Sequence, residues 1–260
     1  MKKNSTTIRN AYGLIGYPLS HSFSQKYFTE KFLKKGYKNC SYTNFPITDI
    51  NELQHLLKHC PDLRGLNVTI PYKEQIISFI NEMDAVAIEA GAVNTVRIIR
   101  NGENIYLKGY NTDVYGFSRS LEEWFATLEA DLPQKAMILG TGGAAKAVAC
   151  ALHRLGVTTS IVSRKKNKTY EHLNADDIAA HPLIVNATPL GMFPKTNECP
   201  AIPYQHLTEK HYLYDLVYNP QETLFMQKGL ANGASALNGA RMLHLQADRA
   251  WEIWSDETEI

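Results

Sequence analysis

Residues 135–166 read KAMILGTGGAAKAVACALHRLGVTTSIVSRKK. An apolar segment of strand length, Ala136 to Leu139, runs into Gly140-Thr141-Gly142-Gly143-Ala144-Ala145. A helical stretch through Leu155 and a second strand, Ser160 to Ser163, follow. A GxGxxG/A pattern between a strand and a helix makes a dinucleotide-binding turn. Gly140 takes the tight turn, Gly142 lets the backbone approach a pyrophosphate, and Ala145 allows close packing of the helix. The phosphates would rest on the positive N-terminus of that helix. The bland alternative, a glycine-rich turn without a ligand, does not explain why the turn sits between strand and helix with a second strand beyond it.

Roughly 20 residues past such glycines, an NAD-binding domain offers an acidic side chain to the ribose hydroxyls. Here that place holds Ser163-Arg164-Lys165-Lys166, with Lys168 close by. A basic cluster without a carboxylate suits a 2′-phosphate, so the expected cofactor is NADP. One charge-assisted hydrogen bond is worth roughly 1.5–3 kcal/mol, or about 10- to 150-fold in preference. A solvated basic loop is the other reading of Lys165 and Lys166.

On both sides of this unit, strand-length apolar runs alternate with helical patterns, which marks an α/β protein. Upstream, strands are expected at Ala11–Gly16, Tyr42–Phe45 and Gly65–Thr69, and helices at Ser24–Leu33 and Ile50–Leu57. Residues 73–90 read as helical in two pieces, and Val93–Ile99 with Ile105–Gly109 as a hairpin across Asn101-Gly102. From Thr112 a helix carries Val114, Phe117, Leu121, Trp124, Phe125 and Leu128 on one stripe. Downstream, strands are expected at Leu183–Asn186 and Tyr212–Leu216, and a last helix at Ala240–Trp254 with Leu243, Ala247, Ala250 and Trp254 on one face. The expected domains are 1–113, 114–238 and a C-terminal segment 239–260.

Composition narrows the function classes. The 260 residues hold 27 Lys and Arg against 26 Asp and Glu, a net charge of +1, which leaves no field for gripping a polyanion. No nucleic-acid partner is expected. No run reaches the roughly 18 apolar residues of a membrane helix, and the start lacks the apolar segment of a signal peptide. The four cysteines, Cys40, Cys60, Cys150 and Cys199, form no CxxC and read as reduced thiols of a cytoplasmic protein. No metal site is expected.

Four further stretches are dense in polar groups: Ser20 to Ser24, Asn67 to Lys73, Gly91 to Thr95, and Asn111-Thr112-Asp113. Each sits at a strand end or turn, where loops hold binding groups. Each also has a structural reading. Ser24 can cap the first helix, Thr112 or Asp113 the long one, and Asn94 can simply turn the chain. Taken in order with GTGGAAKA, Asn186 to Met192 (NATPLGM), Asp215 to Pro220 with Thr223, and Gly239-Ala240-Arg241-Met242-Leu243-His244-Leu245-Gln246, they make eight ordered motifs. This pattern of SxS, NVTxPxK, GAxNT, NTD, GxGGxxxA, NATPxGM, DxxYxP and GxxMLxxQ resembles the shikimate dehydrogenase family over nearly the whole chain.

The resemblance implies a two-domain enzyme that reversibly reduces 3-dehydroshikimate to shikimate with NADPH, in the route to aromatic amino acids. It implies an N-terminal α/β substrate domain, a Rossmann-like NADP domain, a substrate cleft between them and a C-terminal helix returning to the first. By motif, Ser22 and Ser24 would bind the substrate carboxylate, and Thr69, Asn94, Tyr218 and Gln246 the acid and its ring hydroxyls. Lys73 and Asp113 would be the catalytic pair. Thr188 and Met192 would face the nicotinamide, and Gly239 would border the cofactor. Read alone, Met192 is a core methionine, Tyr218 a packed aromatic and the Lys73–Asp113 pair a structural ion pair.

The chemistry is coherent with those residue types. Hydride arriving at a ketone carbon leaves negative charge on oxygen, which a fixed ammonium can stabilise and protonate. Neutral hydroxyls and amides match a polyhydroxylated acid without burying further charge. The chain departs from the family pattern in two places. Ser163-Arg164-Lys165 stands where Asn-Arg-Thr is usual, and Gln25 follows Ser24 where many relatives have Pro. Serine at both positions of SxS favours shikimate over quinate. The alternatives are a quinate/shikimate dehydrogenase or related paralogue, and a non-catalytic NADP-binding protein. The assembly expected is a monomer or homodimer.

Overall fold

The structure is a computed structural model that describes residues 10–19, 22–164 and 168–256. It divides into two compact units. One holds the described residues up to Thr112 and those from Ala250 onward, and the other holds Asp113–Arg249.

The first unit is built on a six-stranded mixed sheet, in which β1 (Asn10–Gly16) lies between β2 (Cys40–Pro46) and β3 (Leu63–Val68), parallel to both. β5 (Thr95–Asn101) is antiparallel to β3, and β6 (Asn104–Tyr110) to β5. The expected hairpin is present, with Asn101 opposite Asn104 and Gly102 at φ +60°. The helices α1 (Phe23–Lys35) and α2 (Glu52–His59) make the parallel crossovers. Phe28 and Phe32 bury one face of α1, which stops at Gly36 in the left-handed region. Ser22, not Ser24, is its N-cap, accepting from the Ser24 amide at 3.3 Å.

The stretch expected to be helical over 73–90 is mostly something else. A 3-10 turn, Gln75–Phe79, is followed by the two-residue strand β4 (Glu82–Met83), and only α3 (Ala85–Ala90) is α-helical. The reason is competition for backbone groups. The Asn81 and Asp84 amides donate to Leu107 and Gly109 carbonyls, and Asn81 Oδ1 accepts the Leu107 amide, so the chain is drawn onto β6. Asp84 then restarts the helix as an N-cap on the Ala87 amide.

The end of α8 (Ala240–Ser255), from Ala250, belongs to this first unit. Trp254 stacks on Tyr12 at 5.0 Å and donates from Nε1 to the Val96 carbonyl. A Cβ on Gly65 would lie 2.3 Å from that indole nitrogen, so only glycine admits the ring. Arg97 donates to the carbonyls of Ile253 and Asp256.

The second unit starts on α4 (Thr112–Thr127), whose stripe Val114, Phe117, Leu121 and Phe125 is buried as its spacing requires, whereas Trp124 is half-buried and Leu128, past the end of the helix, is exposed. Six parallel strands follow: β7 (Lys135–Leu139), β8 (Thr158–Ser163), β9 (Lys168–Thr169), β10 (Leu183–Asn186), β11 (Tyr212–Asp215) and β12 (Ser235–Asn238). Their order, β12-β11-β10-β7-β8-β9, is that of a doubly wound dinucleotide-binding sheet. The helices α5 (Gly143–Arg154), α6 (Ala175–Ala179) and α7 (Leu224–Ala231) connect them. The strand order reverses between β7 and β10, the switch point outside which such sheets bind ligands.

Candidate functional site

At the switch point the glycine turn has the shape a dinucleotide requires. Gly140 lies at φ +119°, and a Cβ there would come 3.1 Å from the Ala187 carbonyl oxygen, so the turn after β7 packs against the loop after β10. Nothing lies within 4 Å of a Cβ placed on Gly142, the N-cap of α5, and no side chain of that residue caps the helix. That opening at a helix N-terminus is what a pyrophosphate fills. Thr141 is exposed at the tip, Gly143 and Ala144 form the first turn, and Ala145 is buried against the sheet. The residues therefore fit a dinucleotide.

At the end of β8, Ser163 is buried and Arg164 exposed. Lys165 lies outside the described residues. Lys168, expected to join Arg164 on a phosphate, pairs with Asp177, whose half-buried carboxyl is raised by that partial burial but held below the usual carboxylate range by the ammonium and by the Asn174 amide. Sequence proximity could not show this, because Asp177 comes from the first turn of α6.

The loops after β10 and β11 are tied by a network the sequence did not announce. Asn186, Asp215 and Thr223 are all fully buried. Asp215 Oδ1 accepts from Asn186 Nδ2 at 2.9 Å and from the Val217 amide at 3.0 Å, and its Oδ2 accepts from the Thr223 hydroxyl at 2.5 Å. Burial pushes the carboxyl up to about 6, against the pull of those three donors. Asn186 Oδ1 in turn accepts from the Thr188 amide and hydroxyl, at 3.1 and 2.6 Å. Met192 is 45% exposed, so it is not the core methionine its composition suggests. Gly239 admits the Leu216 carbonyl, which would stand 2.2 Å from a Cβ.

The first unit brings Ser24, Asn67, Asn94 and Thr112, one residue from each polar stretch, into one buried chain of hydrogen bonds. The Ser24 hydroxyl lies beside that of Tyr42, which donates to Asn67 Oδ1 at 2.7 Å. Asn67 Nδ2 donates to Thr95 Oγ1 at 3.2 Å, and Thr95 donates to Asn94 Oδ1 at 3.2 Å. Asn94 Oδ1 also accepts the Thr112 amide at 2.7 Å, so Asn94 satisfies a backbone donor at the start of α4. Tyr42 is the member that sequence reasoning missed; burial drives its phenol well above the ordinary range. Thr69 packs on Gly16, and the Lys73 carbonyl accepts the Val93 amide at 2.8 Å, which sets Lys73 beside the Asn94 loop.

In the second unit Asp113 is buried in the first turn of α4. One turn on, Gly116 lets α8 approach: a Cβ there would meet the Met242 carbonyl at 2.7 Å and Gln246 Cβ at 3.0 Å. Asp113 and the buried Gln246 therefore lie on adjoining helix faces, Gln246 donating to the Leu243 carbonyl. Tyr218 is half-buried in the loop after β11. Among the described residues the four cysteines form no disulfide, and no helix is long and apolar enough to cross a membrane.

Comparison with known proteins agrees with this architecture. Residues 14–96 match the model of the shikimate dehydrogenase substrate binding domain. A shikimate dehydrogenase (NADP(+)) of Desulforamulus reducens is 34% identical, the alignment covering 95% of this chain and 90% of that protein. The structure of a shikimate 5-dehydrogenase from Thermus thermophilus, in complex with NADP(H) and shikimate, superposes with a TM-score of 0.80 at 28% identity, over 94% of this chain and 93% of that one. A quinate dehydrogenase from Corynebacterium glutamicum in complex with NAD gives a TM-score of 0.82 at 29% identity, over 95% and 94%.

Proposed function

The chain belongs to the shikimate dehydrogenase family, and we propose that it reversibly reduces 3-dehydroshikimate to shikimate, with NADPH as hydride donor and Lys73 and Asp113 as the catalytic pair. The observation that carries the reading is the joining, in one chain, of an open glycine turn beside an acid-free strand end to a buried polar network built from the SxS, NVT, GAVNT and NTD stretches.

Gly140 to Ala145 would hold the pyrophosphate, Ser163 and Arg164 the adenosine ribose and its 2′-phosphate, and Thr188 and Met192 the nicotinamide end, with Gly239 beside them. When bound, the cofactor supplies or takes the hydride. The protein's part is to place the acid and move one proton. Ser22 and Ser24 bind the substrate carboxylate, Ser24 by turning its hydroxyl away from Tyr42. Thr69, Asn94, Tyr218 and Gln246 hold the acid and its ring hydroxyls. As hydride reaches the carbonyl carbon, charge grows on oxygen, and the Lys73 ammonium stabilises that charge and delivers a proton to it. In the reverse direction neutral Lys73 takes the hydroxyl proton as hydride leaves. Asp113 orients the ammonium and takes part in returning its proton. The protein acts in the cytoplasm, as a monomer or homodimer.

The test is steady-state turnover followed by nicotinamide absorbance, offering shikimate and quinate, each with NADP+ and with NAD+. Fast reduction with shikimate and NADP+ supports the reading. Equal turnover of quinate, or equal use of NAD+, moves the protein to the broader quinate/shikimate specificity, and a protein that binds NADP+ yet turns over neither acid refutes the proposal.

A further inference from the structure

Asp215 presents a physical problem. It is fully buried, and its hydrogen-bond partners are the neutral groups Asn186, Val217 and Thr223. A buried carboxylate without a cation costs several kcal/mol. An asparagine would carry no such cost and would occupy nearly the same volume. What a carboxylate alone provides is two acceptor oxygens and no donor, and every partner here donates. The Val217 amide can only donate. The Asn186 amide is fixed with its nitrogen toward Asp215, because its oxygen accepts from Thr188. Thr223 accepts the Met226 amide as N-cap of α7, which leaves its hydroxyl hydrogen for Asp215.

The three donors come from three different segments: the end of β10, the loop after β11 and the start of α7. Through Asn186 the same hub reaches both Thr188 and, at 3.4 Å, the Leu190 carbonyl, while the Leu190 amide donates to Thr188 Oγ1. A Cβ placed on Gly191, at φ +90°, would stand 3.6 Å from Thr223 Cβ, so the loop runs beside the start of α7. From this geometry we infer that Asp215 is a positioning residue, which fixes the 187–192 loop against α7 and so sets Thr188 and Met192 for the cofactor's nicotinamide end. The inference rests on the proposed role of that loop. Asp215 touches neither cofactor nor substrate in this scheme and acts through Asn186 and Thr223.

The decisive variants are Thr223→Val, which keeps the shape but removes both the donor to Asp215 and the cap of α7, and Thr223→Ser, which restores both, with Asp215→Asn, which leaves the cap in place, as the direct change. The readouts are NADPH binding by fluorescence, backbone hydrogen exchange of peptides covering 187–192 and 140–145 in the cofactor-free protein, and the KM for each substrate. Thr223→Val should weaken NADPH binding and raise the KM for NADP+ by about tenfold, the lower end for loss of a bond to a charged group. Exchange should quicken in 187–192 but not in 140–145, the shikimate KM should stay within about twofold, and Thr223→Ser should revert each effect. Unchanged NADPH binding, or equal quickening in both segments, overturns the inference and leaves Asp215 a purely structural group. If Thr223→Val does not fold, Asp215→Asn and Thr223→Ser decide by the same two readouts. Binding and exchange need no turnover, so a protein inactive on shikimate would overturn the proposed activity and leave this test standing.

Discussion

Replacing Tyr42 by Phe removes one oxygen from the middle of the polar chain in the first unit. The ring is retained, and with it the stacking on Phe28 at 4.5 Å and 10°, so the apolar part of the burial is nearly unchanged. What is lost is the 2.7 Å bond to Asn67 Oδ1 and the hydroxyl beside Ser24. Asn67 is 5% exposed, so its oxygen has no ready access to water, and an unsatisfied buried acceptor costs about 1–3 kcal/mol. For a protein of this size that lowers the thermal midpoint by roughly 2–10 °C. The same change loosens the Asn67 amide, which holds Thr95 and through it Asn94. The KM for shikimate is therefore expected to rise about fivefold or more, as roughly 1 kcal/mol of positioning is lost. The KM for NADP+ should move by less than about twofold, since no member of this chain belongs to the second unit. Differential scanning fluorimetry and steady-state kinetics on purified variant and parent measure both effects. An unchanged midpoint together with an unchanged shikimate KM would refute the reasoning, and equal rises in both KM values would show general loosening in place of a link to the acid.

Arg164→Ala should weaken NADP+ roughly 10- to 150-fold and leave NAD+ nearly untouched; titration of both cofactors checks this, and equal losses would mean the side chain does not read the 2′-phosphate. Gly140→Ala forces a Cβ to 3.1 Å from the Ala187 oxygen at φ +119°, so a stability loss of about 1–3 kcal/mol and weakened NADP+ binding are expected in calorimetry. The Arg241–Glu123 pair, at 2.6 and 2.9 Å, holds the Glu123 carboxyl below its ordinary value. A depressed carboxylate contributes stability above its unfolded pKa and loses it as pH falls through the folded one. Both side chains are well exposed, which limits the pair to under about 1 kcal/mol. Arg241→Met should accordingly show a small fall in thermal midpoint at neutral pH that vanishes in acid; a difference persisting in acid would assign it to packing.

The cofactor-binding unit was legible where its determinants are contiguous. Strand, glycine turn and helix occupy one short run, and Gly140 and Gly142 do in space what their spacing implies. Short elements were not legible: β9, β12, α6 and α7 carry too few residues for a periodic signal, although Thr223, capping the Met226 amide, marks where α7 begins. The stretch after Lys73 has helical apolar spacing around Ile76, yet backbone bonds to β6, a partner distant in sequence, override it. The site followed the same division. The motifs mark the stretches from which the buried polar networks are drawn, whereas Tyr42 with Asn67, Asn186 with Asp215, and Lys168 with Asp177 are pairings made only by the fold. Lys168, a basic neighbour of Arg164 in sequence, also meets an acid from another element, a pairing that sequence proximity does not reveal.

The proposed mechanism has Lys73 carry the proton in a hydride transfer between shikimate and NADP+. It is tested most directly by the turnover of Lys73→Ala with that pair, under saturating cofactor and with the folded state verified by thermal melting. The expected outcome is a kcat lowered by roughly 10²–10⁴-fold with a smaller change in the shikimate KM. A variant that keeps the parent kcat would contradict it.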